Sequence, residues 1–373
     1  MRHSNASHTT FLFRPYWGST GGTGMRRLLV LLLASAILAG FVRIAEAQDC
    51  VAQTWKGTIG AVPVMIEFSY EGEDAALVGR YYYRTSLVDL LLVSDGTNPD
   101  RWNELDPKGT VTGYLMLSCK DEALSGSWSS PDGSKTLPIS AEVQPADSFS
   151  RQRLDGLKPT VTKRQSIGKF EYELFMAQGF EGVKGLRLIG DSKAVADINS
   201  ALMTSFKNDL EEAMTCRALG RLRRGEDNGY GIESEMWMIA WNKAFVVIGG
   251  SSSNYCGQAH PFYWSGATTY NLQTGKAEDV SQWLIDRYRK EIPEDSPLGK
   301  IIMKLYPQAE DCADSITWPG DSLWPTSTGI TFQPSTPVYA SSGCIEGVNV
   351  PYKSLSSYLS PPGKMNARIF QGL

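Results

Sequence analysis

Histidine is the scarcest catalytic residue type in the chain: there are three in 373 residues, with His3 and His8 ahead of the first long apolar run and only His260 beyond it. A zinc centre built on several imidazoles is thereby excluded. Any Ser-His-Asp or Cys-His system would have to use His260. The cysteines include no C-x-x-C pair and the serines no G-x-S-x-G elbow, which removes the usual zinc, thiol-redox and hydrolase signatures. No metal and no cofactor is expected. The run Gly249-Gly250-Ser251-Ser252-Ser253-Asn254 lacks the following Lys-Ser/Thr of a phosphate-binding loop and reads as a flexible hairpin connection. Internal repeats are absent, and 42% hydrophobic with 20% charged residues is ordinary globular composition.

Long apolar stretches are also missing, apart from Leu28–Val42, which follows Met25, Arg26 and Arg27 and ends near Ala45-Glu46-Ala47. Positive start, apolar run and small-residue cleavage site make a secretion signal over residues 1–47, with Met25 as the expected true start. The run falls short of the ~20 residues that a membrane-spanning helix needs, although an uncleaved anchor is the alternative. Removing residues 1–47 takes away five arginines and one glutamate, leaving 31 basic against 39 acidic residues, a net charge of −8. Such a chain is a poor binder of nucleic acid, and it keeps no membrane span. The Arg217, Arg221, Arg223, Arg224 run is a local exception and reads as a solvated loop.

All six cysteines, Cys50, Cys119, Cys216, Cys256, Cys312 and Cys344, lie beyond the cleavage site, and an even number in an exported chain reads as a disulfide framework. Domain membership and chain order favour Cys50 with Cys119, Cys216 with Cys256, and Cys312 with Cys344. The implied location is extracytoplasmic, either periplasmic or secreted.

The fold class expected is α+β in two domains. Over residues 48–145, short β-rich runs alternate with Gly, Asp, Asn and Pro, the pattern of an antiparallel barrel or sandwich. Residues 146–166 are polar and aperiodic and read as a linker or a seam. Residues 167–362 mix strands with helices packed on an antiparallel sheet. Val195, Ile198, Leu202, Phe206, Leu210 and Met214 recur every three or four positions, predicting a helix that starts at Asp191 or Ser192 and stops near Gly220. Further helices are expected over Val280–Lys290 and Leu298–Leu305.

Tyr255, Gly257, Ala259 and His260, then Tyr270–Lys276 and Val280–Leu284, and near the end Ile330-Thr331-Phe332, Tyr339-Ala340 and Val350-Pro351-Tyr352, carry a likeness to a known family. In these stretches the chain resembles domain-of-unknown-function family 3298, the RsiV- and PdaC-type extracytoplasmic domain, over roughly the carboxy-terminal half. The resemblance implies an envelope location and a binding role, with an envelope polysaccharide or a lysozyme-like protein as partner. It implies no reaction.

The residues themselves leave three readings. As a binder, the chain would use the loop holding Tyr255, His260, Phe262, Tyr263 and Trp264, because aromatic rings suit sugar faces and protein hot spots. Successive strand residues alternate faces, so at least one of Phe262-Tyr263-Trp264, and one of Tyr81-Tyr82-Tyr83, should be exposed or meet the other domain. As an enzyme, it would pair His260 with a carboxylate from Glu233/Glu235, Glu278/Asp279 or Glu310/Asp311. A structural envelope protein is the third. His260 before Pro261 fits a turn residue at least as well as a catalyst, and no catalytic residue is assigned.

Overall fold

The structure, a computed structural model, describes residues 52–71, 76–84, 89–98, 100–106, 108–224, 230–306, 316–319, 322–335, 344 and 346–372. The signal segment, Cys50, Cys312, Glu310, Asp311 and Tyr339-Ala340 lie outside them.

The amino-terminal part is a closed barrel of eight antiparallel strands in sequence order, the barrel being the form taken of the two expected. The strands are β1 (Thr54–Ile59), β2 (Val62–Glu71), β3 (Ala76–Tyr83), β4 (Leu90–Ser94), β5 (Arg101–Leu105), β6 (Val111–Lys120), β7 (Ala123–Ser129) and β8 (Thr136–Gln144). β1 pairs with both β2 and β8, which closes the sheet and leaves no free edge. Alternate residues turn inward, and Trp55, Ile66, Phe68, Tyr81, Leu92 and Leu115 are buried. One acid sits among them. Glu104 accepts hydrogen bonds from the Tyr81 hydroxyl (2.5 Å), the Trp128 indole (2.6 Å) and the Thr112 hydroxyl (2.6 Å). Burial and the adjacent carboxylate push the Tyr81 hydroxyl far above its ordinary range, so it stays a donor.

The stretch expected as a linker carries structure: helix α1 (Ser148–Asp155) and strand β9 (Thr160–Ile167). Eight residues of which only Phe149 and Leu154 are apolar show no helical stripe, and a helix this short depends on tertiary contacts. Phe149 supplies them, packing on Met65 and Tyr82 on the outside of the barrel, its ring 4.9 Å from that of Tyr82. Arg153 pairs with the buried Asp89 and lies over the Tyr82 ring. The next residue, Leu154, faces the other way into the second core with Phe206 and Leu210. Of the first aromatic triplet, Tyr81 lies inside the barrel and Tyr82 under α1.

The second sheet has seven strands in the order β15-β14-β13-β12-β11-β10-β9, adding β10 (Phe170–Ala177), β11 (Phe180–Leu188), β12 (Gly231–Trp241), β13 (Phe245–Tyr255), β14 (Phe262–Asn271) and β15 (Lys276–Ala277). It is antiparallel except that β11 and β12 run parallel, joined through helix α2 (Lys193–Arg224). This helix starts where the spacing placed it, with the Ser192 hydroxyl accepting from Val195 N–H (3.2 Å), and buries Ile198, Leu202, Phe206 and Leu210 on the sheet. It runs through Gly220 to Arg224, so the arginine run belongs to a helix and not to a loop.

The opposite face is covered along one half by a carboxy-terminal layer containing helices α3 (Pro297–Leu305), α4 (Tyr352–Leu355) and α5 (Pro361–Phe370) and a small sheet of β16 (Leu323–Pro325), β17 (Gly329–Phe332) and β18 (Val348–Pro351). The helix expected over Val280–Lys290 is instead two 3₁₀ turns, Val280–Trp283 and Asp286–Tyr288. Leu284 bridges to Leu359 and Ile285 N–H donates to Tyr358, which pulls the intervening backbone straight.

Cys216 and Cys256 form a disulfide, as expected. Cys119 and Cys344 are also disulfide-bonded, and the partners proposed for them lie outside the described residues.

Replacing Arg153 with methionine should strand the Asp89 carboxylate in a buried site and reduce unfolding free energy by about 3–5 kcal/mol, read as a lower urea midpoint. A loss below ~1 kcal/mol would instead mean that Arg80, 3.9 Å from Asp89, suffices as its partner.

Candidate functional site

The glycine-serine run at 249–254 is not a hairpin connection. It lies within β13, flanked by β12 and β14, with Glu233 opposite Ser253, Glu235 opposite Ser251 and Trp237 opposite Gly249 on one side, and Trp264 opposite Ser252 and Gly266 opposite Gly250 on the other. Small side chains along a middle strand leave room on both faces of the sheet. A Cβ on Gly249 would stand 2.3 Å from the Trp237 ring, so that indole rests directly on the strand. On the helix face, a Cβ on Gly250 would stand 3.2 Å from the Trp264 ring, and Trp264 takes that space.

Of the expected site residues, the structure gathers all five at one end of this sheet. Phe262, Tyr263 and Trp264 are 41%, 46% and 42% exposed, His260 is exposed, and Tyr255 is half-buried. Strand alternation divides them: Phe262 and Trp264 face α2, whereas Tyr263 faces the same side as Glu233, Glu235 and Trp237. Trp237, 36% exposed, is a member that sequence reading missed; its place in an apolar run, MWMIAW, suggested a core strand. Among the described residues, the four aromatics that count as exposed large hydrophobics, Trp237, Phe262, Tyr263 and Trp264, all lie here.

The loop at 256–261 is fastened rather than free. The Cys216–Cys256 bond ties it to α2. Gln258 donates through Nε2 to the Asn254 carbonyl (3.1 Å) and side-chain oxygen (2.6 Å), and accepts from Cys256 N–H (2.7 Å). Gly257 has φ +95°, and a Cβ there would meet the Tyr230 hydroxyl at 2.3 Å, so only glycine suits the position. Tyr230 in turn packs edge-on against Tyr255.

Between α2 and the sheet a groove of about 130 Å³ runs past Ser205, Asp209, Ser234, Ser252 and Trp264. The buried Ser234 hydroxyl donates to Asp209 (2.5 Å). The carboxylate pairs have other duties. Glu233 and Glu235 share the open face, with Glu235 paired to Lys184 at 3.3 Å. Glu278 accepts from the Trp283 indole (3.2 Å), and Asp279 caps the first 3₁₀ turn. Among the described residues His260 forms no ion pair with any acid.

Burial raises the Asp209 carboxyl above its ordinary value of 3.8, and the bond from Ser234 opposes this in part. The folded chain therefore holds this proton more tightly than the unfolded chain. The resulting stabilisation is present below the ordinary value and is lost as pH rises through the raised one. Asp209→Asn keeps an acceptor for Ser234 and removes the charge. By calorimetry it should melt higher than the parent at pH 7, with the gap closing near pH 3; equal melting at both would show that the charge carries no burial cost.

No protein-family model matches the chain, and no curated protein matches it. Several solved structures align with part of it, two of them as follows. A DUF3298 family protein from Pseudomonas aeruginosa PAO1 covers 56% of this chain and 96% of its own, at 13% identity and a TM-score of 0.33. A member of the same family from Bacteroides fragilis covers 58% and 100%, at 12% identity and a TM-score of 0.36. The likeness reaches the family that the sequence resembles, at an identity and overlap that carry nothing over to the site.

Proposed function

We propose that the protein is an exported binding protein of the bacterial cell envelope that recognises a basic protein partner, of which lysozyme is the type, through the aromatic end of its second sheet. The observation behind this reading is the clustering of Trp237, Phe262, Tyr263 and Trp264, all 36–46% exposed, at one end of the sheet, with Trp237 and Tyr263 sharing a face with Glu233 and Glu235. Exposed aromatic patches with charged neighbours mark protein contacts, and a net charge of −8 over residues 48–373 favours a basic partner. The disulfide, and the lack among the described residues of a helix long and apolar enough to cross a membrane, are compatible with an extracytoplasmic site of action.

A second reading, an envelope polysaccharide such as peptidoglycan, draws on one feature: an indole resting on Gly249 presents its other face as a stacking platform for a sugar ring. The catalytic alternative is weaker, since His260 stands exposed with no acid paired to it among the described residues.

The deciding experiment is retention of residues 48–373 on immobilised lysozyme and, separately, on insoluble peptidoglycan at low and high salt. Saturable retention on lysozyme that weakens with salt is expected, falling at least about tenfold in the Tyr263→Ala/Trp264→Ala variant and unchanged in His260→Ala. Retention on peptidoglycan alone would transfer the assignment to the second reading, and retention on neither would end both.

A further inference from the structure

The register of β14 shows which of its backbone groups face away from β13. The pairing runs without a shift from Phe262 to Asn271, so outward-facing residues recur at every second position. Three of them identify the row by their bonds. Ala267 N–H donates to the Ser322 hydroxyl (2.9 Å) and Ala267 C=O accepts from it (2.8 Å). Thr269 C=O accepts from Glu278 N–H (2.7 Å), and Asn271 C=O accepts from Gly275 N–H (2.8 Å). Continuing the row the other way gives Ser265 and Tyr263. Neither has an outward backbone bond among the described residues.

This stretch of edge also lacks the features that usually guard one. Phe262-Tyr263-Trp264-Ser265-Gly266 contains no charge, no proline and no bulge. A lone serine hydroxyl closes the edge at Ala267, and pairing ends there. Upstream the strand offers two residues whose outward backbone groups have no partner among the described residues, flanked by exposed rings.

We infer that the outer edge of β14 at Tyr263–Ser265 receives an extended segment of a partner protein as an added antiparallel strand, in which an apolar residue is flanked by basic ones. Tyr263 and Ser265 would each exchange both backbone bonds with the guest. The guest residue between those two falls beside Trp264 on the α2 side, where an apolar side chain covers the indole. Its two neighbours fall on the face that carries Tyr263, where lysine or arginine suits the ring, and the net charge of −8 favours basic side chains there. A second copy of this chain fits less well, because two molecules of net charge −8 repel. The inference rests on the reading of this end of the sheet as a protein-binding face, and its test uses a different probe, so that the two can fail separately.

The probe is a synthetic peptide of alternating lysine and valine, capped at both ends, added to residues 48–373, with backbone amide exchange followed residue by residue. Exchange at Tyr263 and Ser265 should slow at least about tenfold, and a glutamate–valine peptide should bind at least about tenfold more weakly. Ser265→Pro and Tyr263→Pro each remove an outward N–H without touching the β13 ladder. Both should keep the parent's melting temperature and lose the peptide. Unchanged exchange, equal affinity for the two peptides, or full binding by a folded proline variant would overturn the inference. Concentration-dependent protection without peptide, abolished in either proline variant, would put a second copy on the edge and overturn the assigned partner. Should the proline variants not fold, the comparison of the two peptides on the parent protein still decides.

Discussion

The missing side chains at Gly249 and Gly250 are the constraint on which the candidate site depends. Consecutive residues of a strand face opposite sides, so two glycines in a row open one space on each face of the sheet. Trp237 fills one and Trp264 the other. An indole that lies against backbone is held on one side and leaves the other for a ligand. Tryptophan on an ordinary strand would stand off the sheet or be covered by its neighbours. The exposed aromatic end of this sheet is therefore a consequence of two absent methyl groups on a strand that is otherwise well packed, with Val246, Val247 and Ile248 all buried just before the run.

Two further devices keep that end in place. Helix α1 joins the halves of the described chain, with Phe149 and Arg153 on the barrel wall and Leu154 under α2. The Cys216–Cys256 bond anchors the far end of α2 to the loop that precedes β14. Between these two fixed points α2 lies along the sheet and forms one wall of the groove beside Trp264. The barrel contributes rigidity. Its interior is filled by large side chains around Glu104, so the aromatic end of the second sheet is the more open surface.

Much of this was legible from the sequence. Strand-sized runs separated by turn residues predicted the barrel region, and the apolar stripe from Val195 to Met214 predicted α2 almost to its first residue. Strand alternation also singled out Phe262, Tyr263 and Trp264 as a triplet of which at least one should be exposed or meet the other domain, and the structure leaves all three exposed. Other features gave no signal. Helix α1 is too short and polar to show a stripe, and its stability comes from contacts with Met65 and Tyr82, over sixty residues away in sequence. The glycine-serine run reads as a turn by composition alone; pairing on both sides, a non-local property, makes it a strand. Trp237 could not be told from a core residue without knowing where the carboxy-terminal layer stops. The parallel join between β11 and β12 likewise depends on where α2 returns the chain.

The most direct test of the account is a single added side chain. Gly249→Val suits a strand by propensity, and its branches would displace the Trp237 ring while leaving the backbone pairing intact. Retention of this variant on immobilised lysozyme should be compared with the parent, alongside thermal melting. The account predicts a melting temperature close to that of the parent and retention lost with the displaced indole. Full retention by a variant that melts like the parent would contradict it, because binding would then not depend on the seat that the glycine provides.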